Sequence, residues 1–450
     1  MSDLRRLLDD GKPIFGTDGV RGAAGSELTA ELALEIGRAA GSSLRSGPAL
    51  VGRDTRRSGS MLSSALQAGF HSVGIDTVDV GVLPSGGISY LTAQSGATMG
   101  AVVSASHNPA DDNGIKLLAS RGTKLPDSVE REIESRMRNP SRQVAVGGEI
   151  GFRMENGDGY FEYLDHLVDA SRYSFNGLRV AIDCANGAAY KVAPELFERL
   201  NADVDVYHAE PNGSNINDGC GATAPDFIAK HGRGRIGLAF DGDADRLIAV
   251  DEDGVVANGD VIMAIIARHM KEQGRLKNNV VVATVMSNLG FRKSLAEAGI
   301  EMVETPVGDR YVMEAITERK ALLGGEQSGH IIFADLAQTG DGLLTAIQLL
   351  NVVAGTGKTL RELREETITE FPQVLVNVRI SRSVDIADMD LLWDEVGVVE
   401  GELGDSGRVL VRPSGTEPLV RIMVEAPSKE LASGYADRLA TVAEAATSKE

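Results

Sequence analysis

A single serine and a run of aspartates carry the residue types that phosphoryl chemistry needs. Ser106 stands in the segment SASHNP (residues 104–109), where an imidazole and an amide follow its hydroxyl. The segment DGDADR (residues 241–246) places three carboxylates within five residues. Carboxylates this close repel one another unless a cation lies among them, and all-oxygen ligation suits a hard ion such as Mg²⁺. Such a metal would spread the charge of a phosphate while the serine carries the group covalently.

The serine loop has a chemical interpretation and a structural one. The apolar run at residues 99–103 predicts a strand that leads into a turn, and Pro109 restricts the backbone just before it. A serine in such a turn can be exposed and oriented, with His107 and Asn108 beside it to stabilise phosphoryl charge. Lys116 is near enough in sequence to return to the site as a cation or proton donor. The structural alternative is a polar turn in which the serine caps a helix.

The aspartate run follows an apolar strand predicted over residues 236–240, so its carboxylates begin at the carboxyl end of that strand. Gly242 and Ala244 are small enough to let the backbone fold tightly around an ion. The alternative is a solvated acidic loop, but aspartates at every second position after a buried strand favour a metal site. The similar run DEDG at residues 251–254 instead fits an Asp-Gly hairpin turn.

Three further loops carry groups that could bind a phosphorylated sugar. GGEQSGH (residues 324–330) offers a carboxylate, an amide and a hydroxyl for vicinal sugar hydroxyls, or else forms a plain hairpin loop. RPSGTEP (residues 412–418), with Arg421 beyond it, offers forked donors for a phosphate, or else forms a turn with surface arginines. FGTDGVRG (residues 15–22) could bring Arg21 to a phosphate.

Two glycine-rich segments are not nucleotide sites. No strand leads directly into residues 15–22, so this loop is not a dinucleotide fingerprint. GTGKT at residues 355–359 is not a P-loop, because Val352 stands where a glycine is required and residues 343–354 read as a helix.

The elements that must position these loops follow one pattern three times. A short apolar strand leads through a polar loop and an amphipathic helix to a second strand, which is typical of a βαβ unit. The units are predicted at residues 49–52, 61–70 and 77–80, at 179–182, 191–200 and 204–207, and at 280–283, 291–298 and 301–304. They indicate three similar α/β domains, with ligands at the carboxyl edges of their sheets.

The tail has a different pattern. Strands predicted at residues 374–379, 408–411 and 419–425, followed by a helix at 432–446, indicate a smaller α+β domain. We therefore predict domains at residues 1–151, 152–252, 253–368 and 369–450, which bear in turn the serine, aspartate, sugar and phosphate loops.

Bulk composition restricts the partners. With 450 residues and a formal net charge of −20, the chain should form several domains that do not bind nucleic acid or an anionic membrane. Its two cysteines make no disulfide framework, which fits a reducing cytoplasm. The sequence has neither a signal-peptide pattern nor an apolar run long enough to span a bilayer. We expect a cytoplasmic enzyme with a small anionic substrate.

Taken together, the five loops resemble those of the α-D-phosphohexomutases, and they occur in the order of that family along essentially the whole chain. The resemblance implies four domains around a central cleft, three of them α/β with mixed sheets and the last α+β. It also implies a mutase cycle in which a phosphoserine donates its phosphoryl group to a hexose monophosphate. The serine then takes the other phosphoryl group back from the 1,6-bisphosphate.

The same resemblance implies residue roles. One Mg²⁺ per subunit would be held by Ser106, Asp241, Asp243 and Asp245. Catalytic roles would fall to Ser106, His107, Asn108, Lys116, Arg21 and His330. The substrate would be bound by Arg246, Glu326, Ser328, Arg412, Ser414, Gly415, Thr416 and Arg421.

The hexose is indicated by two of the loops. Residues 15–22 and 325–330 most resemble the branch of the family that acts on glucosamine phosphates, since branches acting on glucose or mannose phosphates usually carry Met where Gln327 stands. We expect interconversion of glucosamine 6-phosphate and glucosamine 1-phosphate by a monomer or homodimer, with glucosamine 1,6-bisphosphate or a similar sugar as intermediate and activator. The alternatives are a mutase for glucose or mannose phosphates, a metal phosphatase, and a catalytically inactive sugar-phosphate sensor.

Overall fold

The chain folds into two compact units. The computed structural model describes residues 13–16, 18–44, 47–139, 144–380, 386–413 and 419–447. The first unit comprises Met1–Val285 and Ile300–Thr367, and the second comprises Met286–Gly299 and Ile368–Glu450.

The first sheet of the first unit carries the serine loop. Its strands, in the spatial order β1-β5-β4-β2-β3-β6, are β1 (Val20–Ala23), β2 (Ala49–Arg53), β3 (Thr77–Val82), β4 (Met99–Val103), β5 (Asp112–Ala119) and β6 (Arg153–Glu155). The sheet is mixed, because β2 runs parallel to β3 and β4 whereas β5 runs antiparallel to β1 and β4.

Helices cover this sheet through apolar residues at helical spacing. They are α1 (Ala30–Ser43), α2 (Gly59–His71), α3 (Ser85–Gln94) and α4 (Asp127–Arg138). Thr29 caps α1 by accepting a hydrogen bond from the backbone N–H of Leu32. Leu62 and Leu66, four positions apart on α2, are fully buried in a core shared with Val51 of β2. This packing fixes the sheet edge from which the serine loop emerges.

The second sheet carries the aspartate loop. Its strands are β7 (Arg179–Asp183), β8 (Asp203–Tyr207), β9 (Ile236–Phe240), β10 (Leu247–Val250) and β11 (Val256–Ala257), in the order β11-β10-β9-β7-β8. Strand β7 is parallel to β8 and β9, and the β9-β10-β11 meander is antiparallel. The flanking helices are α5 (Gly159–Asp169), α6 (Ala189–Arg199) and α7 (Asp226–His231). The predicted Asp-Gly hairpin turn is confirmed, since the N–H of Gly254 donates to the carbonyl of Asp251 at 2.9 Å.

The third sheet carries the sugar loop. Its strands are β12 (Val280–Thr284), β13 (Glu301–Thr305), β14 (Leu323–Gly325) and β15 (Ile331–Phe333), in the order β13-β12-β14-β15. The helices of this part of the chain are α8 (Gly259–Glu272), α9 (Leu289–Glu297), α10 (Asp309–Arg319), α11 (Gly342–Thr356) and α12 (Leu360–Thr367). By length and composition, no single helix among the described residues could cross a membrane, and α11 and α12 pass that test only as a pair bent by 93°.

The second compact unit is built on an antiparallel sheet. Strands β16 (Gln373–Arg379), β18 (Leu419–Glu425) and β17 (Arg408–Pro413) lie side by side in that order, with α13 (Asp390–Leu403) and α14 (Lys429–Thr447) packed on them. Helix α9 belongs to this unit, since the N–H of Leu289 donates to the Glu425 carboxylate at 3.0 Å.

Among the described residues, four separate sheets, three of them mixed and the last antiparallel, confirm the predicted four-domain architecture, and the first three sheets all lie in the first compact unit. In each predicted βαβ unit, the two strands pair in parallel: β2 with β3, β7 with β8, and β12 with β13. Helix α13 was not predicted from the sequence. The domain boundaries and the central cleft stay predictions.

Candidate active site

Ser106 lies in a tight loop directly after β4. Its φ of +50° is in the left-handed region, which costs a non-glycine residue of order 1–3 kcal/mol and is typical of functional turns. The sequence suggested an exposed serine, which is wrong, because Ser106 is only 1% exposed. Its Oγ donates to Oδ2 of Asp241 at 2.6 Å and lies 3.3 Å from Nδ1 of His107. The hydroxyl therefore points into the aspartate cluster and not into solvent.

The three aspartates converge as the sequence predicts. Asp241, Asp243 and Asp245 follow β9, and one carboxylate oxygen from each lies within 4.8 Å of the others. All three side chains are buried. Among the described residues, Oδ1 of Asp243 and Oδ1 of Asp245 have no hydrogen-bond partner. Unpartnered buried carboxylate oxygens aimed at one point fit a hard divalent metal ion.

Within the cluster, the pKa values of Asp241 and Asp245 shift in opposite directions. Burial, followed by the charges of Asp245 and Asp243, raises the pKa of Asp241 well above its usual range. Burial also raises the pKa of Asp245, but Lys116 and His330 lower it by more than burial raises it. The pKa of Asp245 is therefore well below its usual range. Opposite shifts in neighbouring carboxyls mean that Asp241 ionises after Asp245, and a bound cation would favour its ionised form.

Lys116 supplies positive charge from β5. Its Nζ lies 3.0 Å from Asp18, 3.4 Å from Asp243 and 3.6 Å from Asp245. Burial lowers the pKa of Lys116, but these three carboxylates raise it by more than burial lowers it. The ammonium group therefore stays charged at neutral pH. In turn, burial raises the pKa of Asp18, whereas Lys116 and Arg21 lower it to about 2. Asp18 was not predicted from the sequence, although it lies in the N-terminal loop that contains Arg21.

Arg21 and His107 border the serine. Nη1 of Arg21, on β1, donates to Oδ1 of Asn108 at 3.4 Å, and its other terminal nitrogen pairs with Asp18. Burial, with the nearby charges of Arg246 and Arg21, lowers the pKa of His107 to about 4. His107 is therefore neutral at physiological pH and can donate or accept a hydrogen bond beside the serine.

His330 contacts the cluster from the sugar loop. Its Nδ1 lies 3.5 Å from Oδ2 of Asp245, and the N–H of Gly340 donates to its Nε2 at 3.2 Å. Burial lowers the pKa of His330, but the Asp245 carboxylate raises it to about 9. A protonated ring could not accept from Gly340, so the hydrogen bonding indicates a neutral ring with its proton on Nδ1. A divalent ion at Asp245 would offset the carboxylate charge and favour that form.

The sugar loop forms the predicted hairpin between β14 and β15. Glu326 accepts from the N–H of Gly308 at 3.0 Å and from the hydroxyl of Ser328 at 3.3 Å. The charge of Glu326 also acts on Arg246. Burial lowers the pKa of Arg246, but the charges of Asp245, Asp241 and Glu326 raise it by more, so the net shift is upward. Arg246 is therefore within electrostatic reach of both the aspartate loop and the sugar loop.

Arg412 and Arg421 are cross-strand partners on β17 and β18 of the second unit. Burial and the charge of Arg421 lower the pKa of Arg412, so the two guanidinium groups repel each other. An anion bound by both would relieve that repulsion. The predicted partners Ser414, Gly415 and Thr416 lie outside the described residues.

Arg56 is the functional residue that sequence reasoning missed. It is 1% exposed, and its guanidinium donates to the backbone carbonyls of Ser106 at 3.0 Å and Asn108 at 2.8 Å. Asp54 pairs with its Nε at 2.9 Å and accepts from the hydroxyl of Ser104 at 2.6 Å. One signal in the sequence could have revealed this pair. Asp54 and Arg56 follow β2, so they lie at the same carboxyl edge of the sheet as the serine loop.

Close backbone approach joins the serine loop to the aspartate loop. A Cβ on Gly242 would lie 2.5 Å from the carbonyl oxygen of Ser106, so only glycine fits there. Asn217 donates to that same oxygen at 2.9 Å. The serine is therefore held by contacts from two other loops of the first unit.

The geometry has counterparts among known proteins. Family models described as phosphoglucomutase/phosphomannomutase match residues 12–143 (alpha/beta/alpha domain I), 158–254 (domain II), 258–371 (domain III) and 375–442 (C-terminal domain). The chain belongs to the phosphoglucomutase/phosphomannomutase family. Membership makes it an enzyme of the isomerase class, a phosphohexomutase.

Full-length relatives share about half of the residues. The chain is 50% identical to a phosphoglucosamine mutase of Shouchella clausii over 95% of its own length and 98% of that protein. It is 49% identical to a phosphoglucosamine mutase of Bacillus subtilis, with coverage of 95% and 97%.

Solved structures of the family share the fold. A phosphoglucomutase/phosphomannomutase family protein of Burkholderia thailandensis superposes with a TM-score of 0.81 at 25% identity, covering 96% of this chain and 97% of that one. The N-acetylphosphoglucosamine mutase of Aspergillus fumigatus, in complex with GlcNAc-6P and magnesium, gives a TM-score of 0.71 at 19% identity and covers 99% of both chains.

Replacing Arg56 by lysine should impair turnover more than binding. A lysine ammonium cannot reproduce the planar, five-donor fork with which Arg56 contacts Asp54 and several separate backbone carbonyls, so the serine loop would shift. We expect Arg56→Lys to lower kcat about 10- to 100-fold while KM changes by less than about 3-fold. The exposed Arg57→Lys is the matched control, and circular dichroism would verify that both variants fold. An unchanged kcat in folded Arg56→Lys would show that this residue does not position the serine.

Metal binding should release a proton. Because the pKa of Asp241 is raised, its carboxyl holds a proton at pH values where an ordinary aspartate is ionised, and a divalent ion must displace it. Mg²⁺ affinity should therefore rise with pH until the pH exceeds the pKa of Asp241 in the metal-free enzyme. Calorimetric Mg²⁺ titrations of the dephosphorylated enzyme, in buffers of different ionisation enthalpy, should show about one proton released below that pKa and none above it.

The turn variant Asp253→Asn should behave like the wild type in these titrations, whereas Asp241→Asn should bind Mg²⁺ weakly and without proton release. Proton release that persists in Asp241→Asn would contradict the assignment.

Proposed function

We propose that this enzyme interconverts glucosamine 6-phosphate and glucosamine 1-phosphate, with Ser106 as the phosphoryl carrier and glucosamine 1,6-bisphosphate as the intermediate. The observation that carries the proposal is the 2.6 Å contact between Oγ of Ser106 and Asp241, inside a cluster of three buried aspartates. The amino sugar is supported by the name of the half-identical relatives, phosphoglucosamine mutase.

We assign Mg²⁺, one per subunit, to Asp241, Asp243, Asp245 and the phosphorylated Ser106. When bound, the ion would supply positive charge to the oxygens of the transferring phosphoryl group. Manganese accepts the same oxygen ligands, so the preference for Mg²⁺ is part of the proposal.

The serine gives and takes the phosphoryl group in the two half-reactions. In the first, the bond from phosphorus to Oγ breaks as a bond to the sugar hydroxyl oxygen forms, the sugar hydroxyl loses its proton, and Oγ takes a proton up. In the second, Oγ attacks the other phosphate of the bisphosphate and loses its proton, the bond from that phosphorus to the sugar oxygen breaks, and the sugar oxygen takes a proton up. Two acceptors lie within reach of the Oγ proton: Nδ1 of neutral His107 at 3.3 Å and, once its carboxyl is ionised, Oδ2 of Asp241 at 2.6 Å.

The surrounding cations stabilise the charge that moves. Lys116 stays protonated because carboxylates surround it, so it can pair with phosphoryl oxygens as a fixed positive charge. Arg21 donates to Oδ1 of Asn108 beside the serine, and we assign both residues to stabilising phosphoryl charge at that position. We assign His330 the role of holding Asp245, which is a positioning role.

The sugar is bound by residues outside the transfer centre. We assign Glu326 and Ser328 to the ring hydroxyls, and we assign Arg246, whose charge both Glu326 and the aspartates influence, to the same substrate. We assign the phosphate that is not reacting to Arg412 and Arg421, together with Ser414, Gly415 and Thr416. A mutase must bind either end of the sugar, whereas a simple phosphatase need not.

We also infer a cytoplasmic enzyme that is a monomer or a homodimer. Its two cysteines, Cys184 and Cys220, are both free and buried, which fits a reducing compartment.

The proposal is tested by a coupled assay for glucosamine 1-phosphate. The enzyme is supplied with glucosamine 6-phosphate, Mg²⁺ and a trace of sugar 1,6-bisphosphate, and glucose 6-phosphate and mannose 6-phosphate are run alongside. We expect the amino sugar to turn over fastest, and Ser106→Ala to lose at least about 10³-fold in kcat because the covalent carrier is gone. Ser95→Ala, a substitution of an exposed serine, should retain full activity.

Two results would contradict the proposal in different ways. Rapid turnover of glucose 6-phosphate with little glucosamine 1-phosphate would keep the mechanism and overturn the substrate. Stoichiometric release of inorganic phosphate would indicate a phosphatase and overturn the mutase cycle.

A further inference from the structure

A second group of potential metal ligands lies in the second sheet, apart from the three aspartates. Asp183 ends β7 and His208 directly follows β8, and these neighbouring parallel strands bring both residues to one edge. Cys220 comes from the loop that follows. One ligand atom from each of the three lies within 4.8 Å of the other two. The proposed mutase cycle uses none of them.

Two buried atoms in this group lack a partner among the described residues. Asp183 is fully buried, and although its Oδ1 accepts from the N–H of Ala185 at 2.9 Å, its Oδ2 has no hydrogen bond. Nδ1 of His208 is only 3.1 Å from Oδ1 of Asp183, yet it makes no hydrogen bond. An unpaired buried carboxylate oxygen is costly. A cation between these atoms would satisfy both.

We propose that Asp183, His208 and Cys220 form a binding site for a borderline-soft divalent metal ion of the zinc class. A carboxylate oxygen, an imidazole nitrogen and a thiolate sulfur are the donors that Zn²⁺ prefers, whereas sulfur disfavours Mg²⁺. The side chain of His208 is 26% exposed, which leaves an open side for a solvent ligand as the fourth donor.

Binding requires one proton to leave. The ligand is the thiolate, so the S–H bond of Cys220 breaks, a bond from sulfur to the metal forms, and the proton passes to solvent. Without metal, burial and the Asp183 charge raise the pKa of Cys220 to about 12, so the thiol is protonated until an ion displaces the proton. The ligand atom of His208 would be a nitrogen of the neutral ring.

The site is connected to the serine loop through Asn217. This residue lies three positions before Cys220, its N–H donates to the carbonyl of Ala185 at 3.0 Å, and its side chain donates to the carbonyl of Ser106 at 2.9 Å. A bound ion would tie this loop to β7 and β8. We therefore assign the site a structural role that stabilises the support of Ser106.

Cobalt titration of the full-length enzyme tests the site independently of activity. The protein is stripped with a chelator under reducing conditions, saturated with Mg²⁺ to fill the three aspartates, and titrated with Co²⁺ and then Zn²⁺. We expect one equivalent of Co²⁺ to bind with a thiolate-to-cobalt charge-transfer band, which Zn²⁺ then abolishes. Cys220→Ala should lose the band, whereas Cys184→Ala, at the neighbouring buried cysteine, should keep it.

Further variants separate this site from the proposed catalytic one. Asp241→Asn should keep the band, and His208→Gln, at a partly exposed position, should weaken Zn²⁺ binding about 100-fold without unfolding the protein. The absence of a band in folded wild-type enzyme, an unchanged band in Cys220→Ala, or unchanged affinity in His208→Gln would overturn the proposal. A loss of turnover in Ser106→Ala has no bearing on it, so failure of the two proposals can be told apart.

Discussion

Three buried carboxylates within 4.8 Å of one another impose the constraint on which the rest of the site depends. Charges this close in a medium of low dielectric cannot all persist without cations among them. Lys116 supplies one permanent positive charge, but the raised pKa of Asp241 indicates that this charge does not compensate all three carboxylates. A divalent ion would complete the compensation. Because the Ser106 hydroxyl donates into this cluster, a phosphoryl group on that serine would be held by the same charges that the carboxylates require.

The second requirement is a serine held in an unfavourable backbone conformation. Its left-handed φ is maintained because one carbonyl oxygen, that of Ser106, is contacted from three directions. Arg56 donates at 3.0 Å, Asn217 donates at 2.9 Å, and Gly242 permits a backbone approach that any side chain would block. Because these contacts hold the backbone of the loop, they also hold Oγ of Ser106 in one position. Phosphoryl transfer needs such a fixed position of the reacting oxygen.

Much of this arrangement could be predicted from the sequence, because apolar runs determine strands and the carboxyl ends of parallel strands share an edge. That reasoning placed Ser106 and the aspartates correctly. It could not find Arg56, which lies 50 residues before Ser106 in a charged segment that resembles a solvated turn. It also could not assign helix Leu289–Glu297 to the second compact unit, because helical periodicity reports which face is buried and not what covers it. The burial of the serine, likewise, depends on loops that are distant in sequence.

The most direct test of the account is whether Ser106 carries the phosphoryl group during turnover. The enzyme would be mixed with Mg²⁺ and sugar 1,6-bisphosphate, quenched rapidly, and digested for mass spectrometry of the peptide containing residues 104–109. We predict phosphate on Ser106, its transfer to glucosamine 6-phosphate in a chase, and little or none in Asp241→Asn. Phosphate on Ser104 instead, or a phosphoenzyme that yields only inorganic phosphate in the chase, would contradict the central role of Ser106 in a mutase cycle.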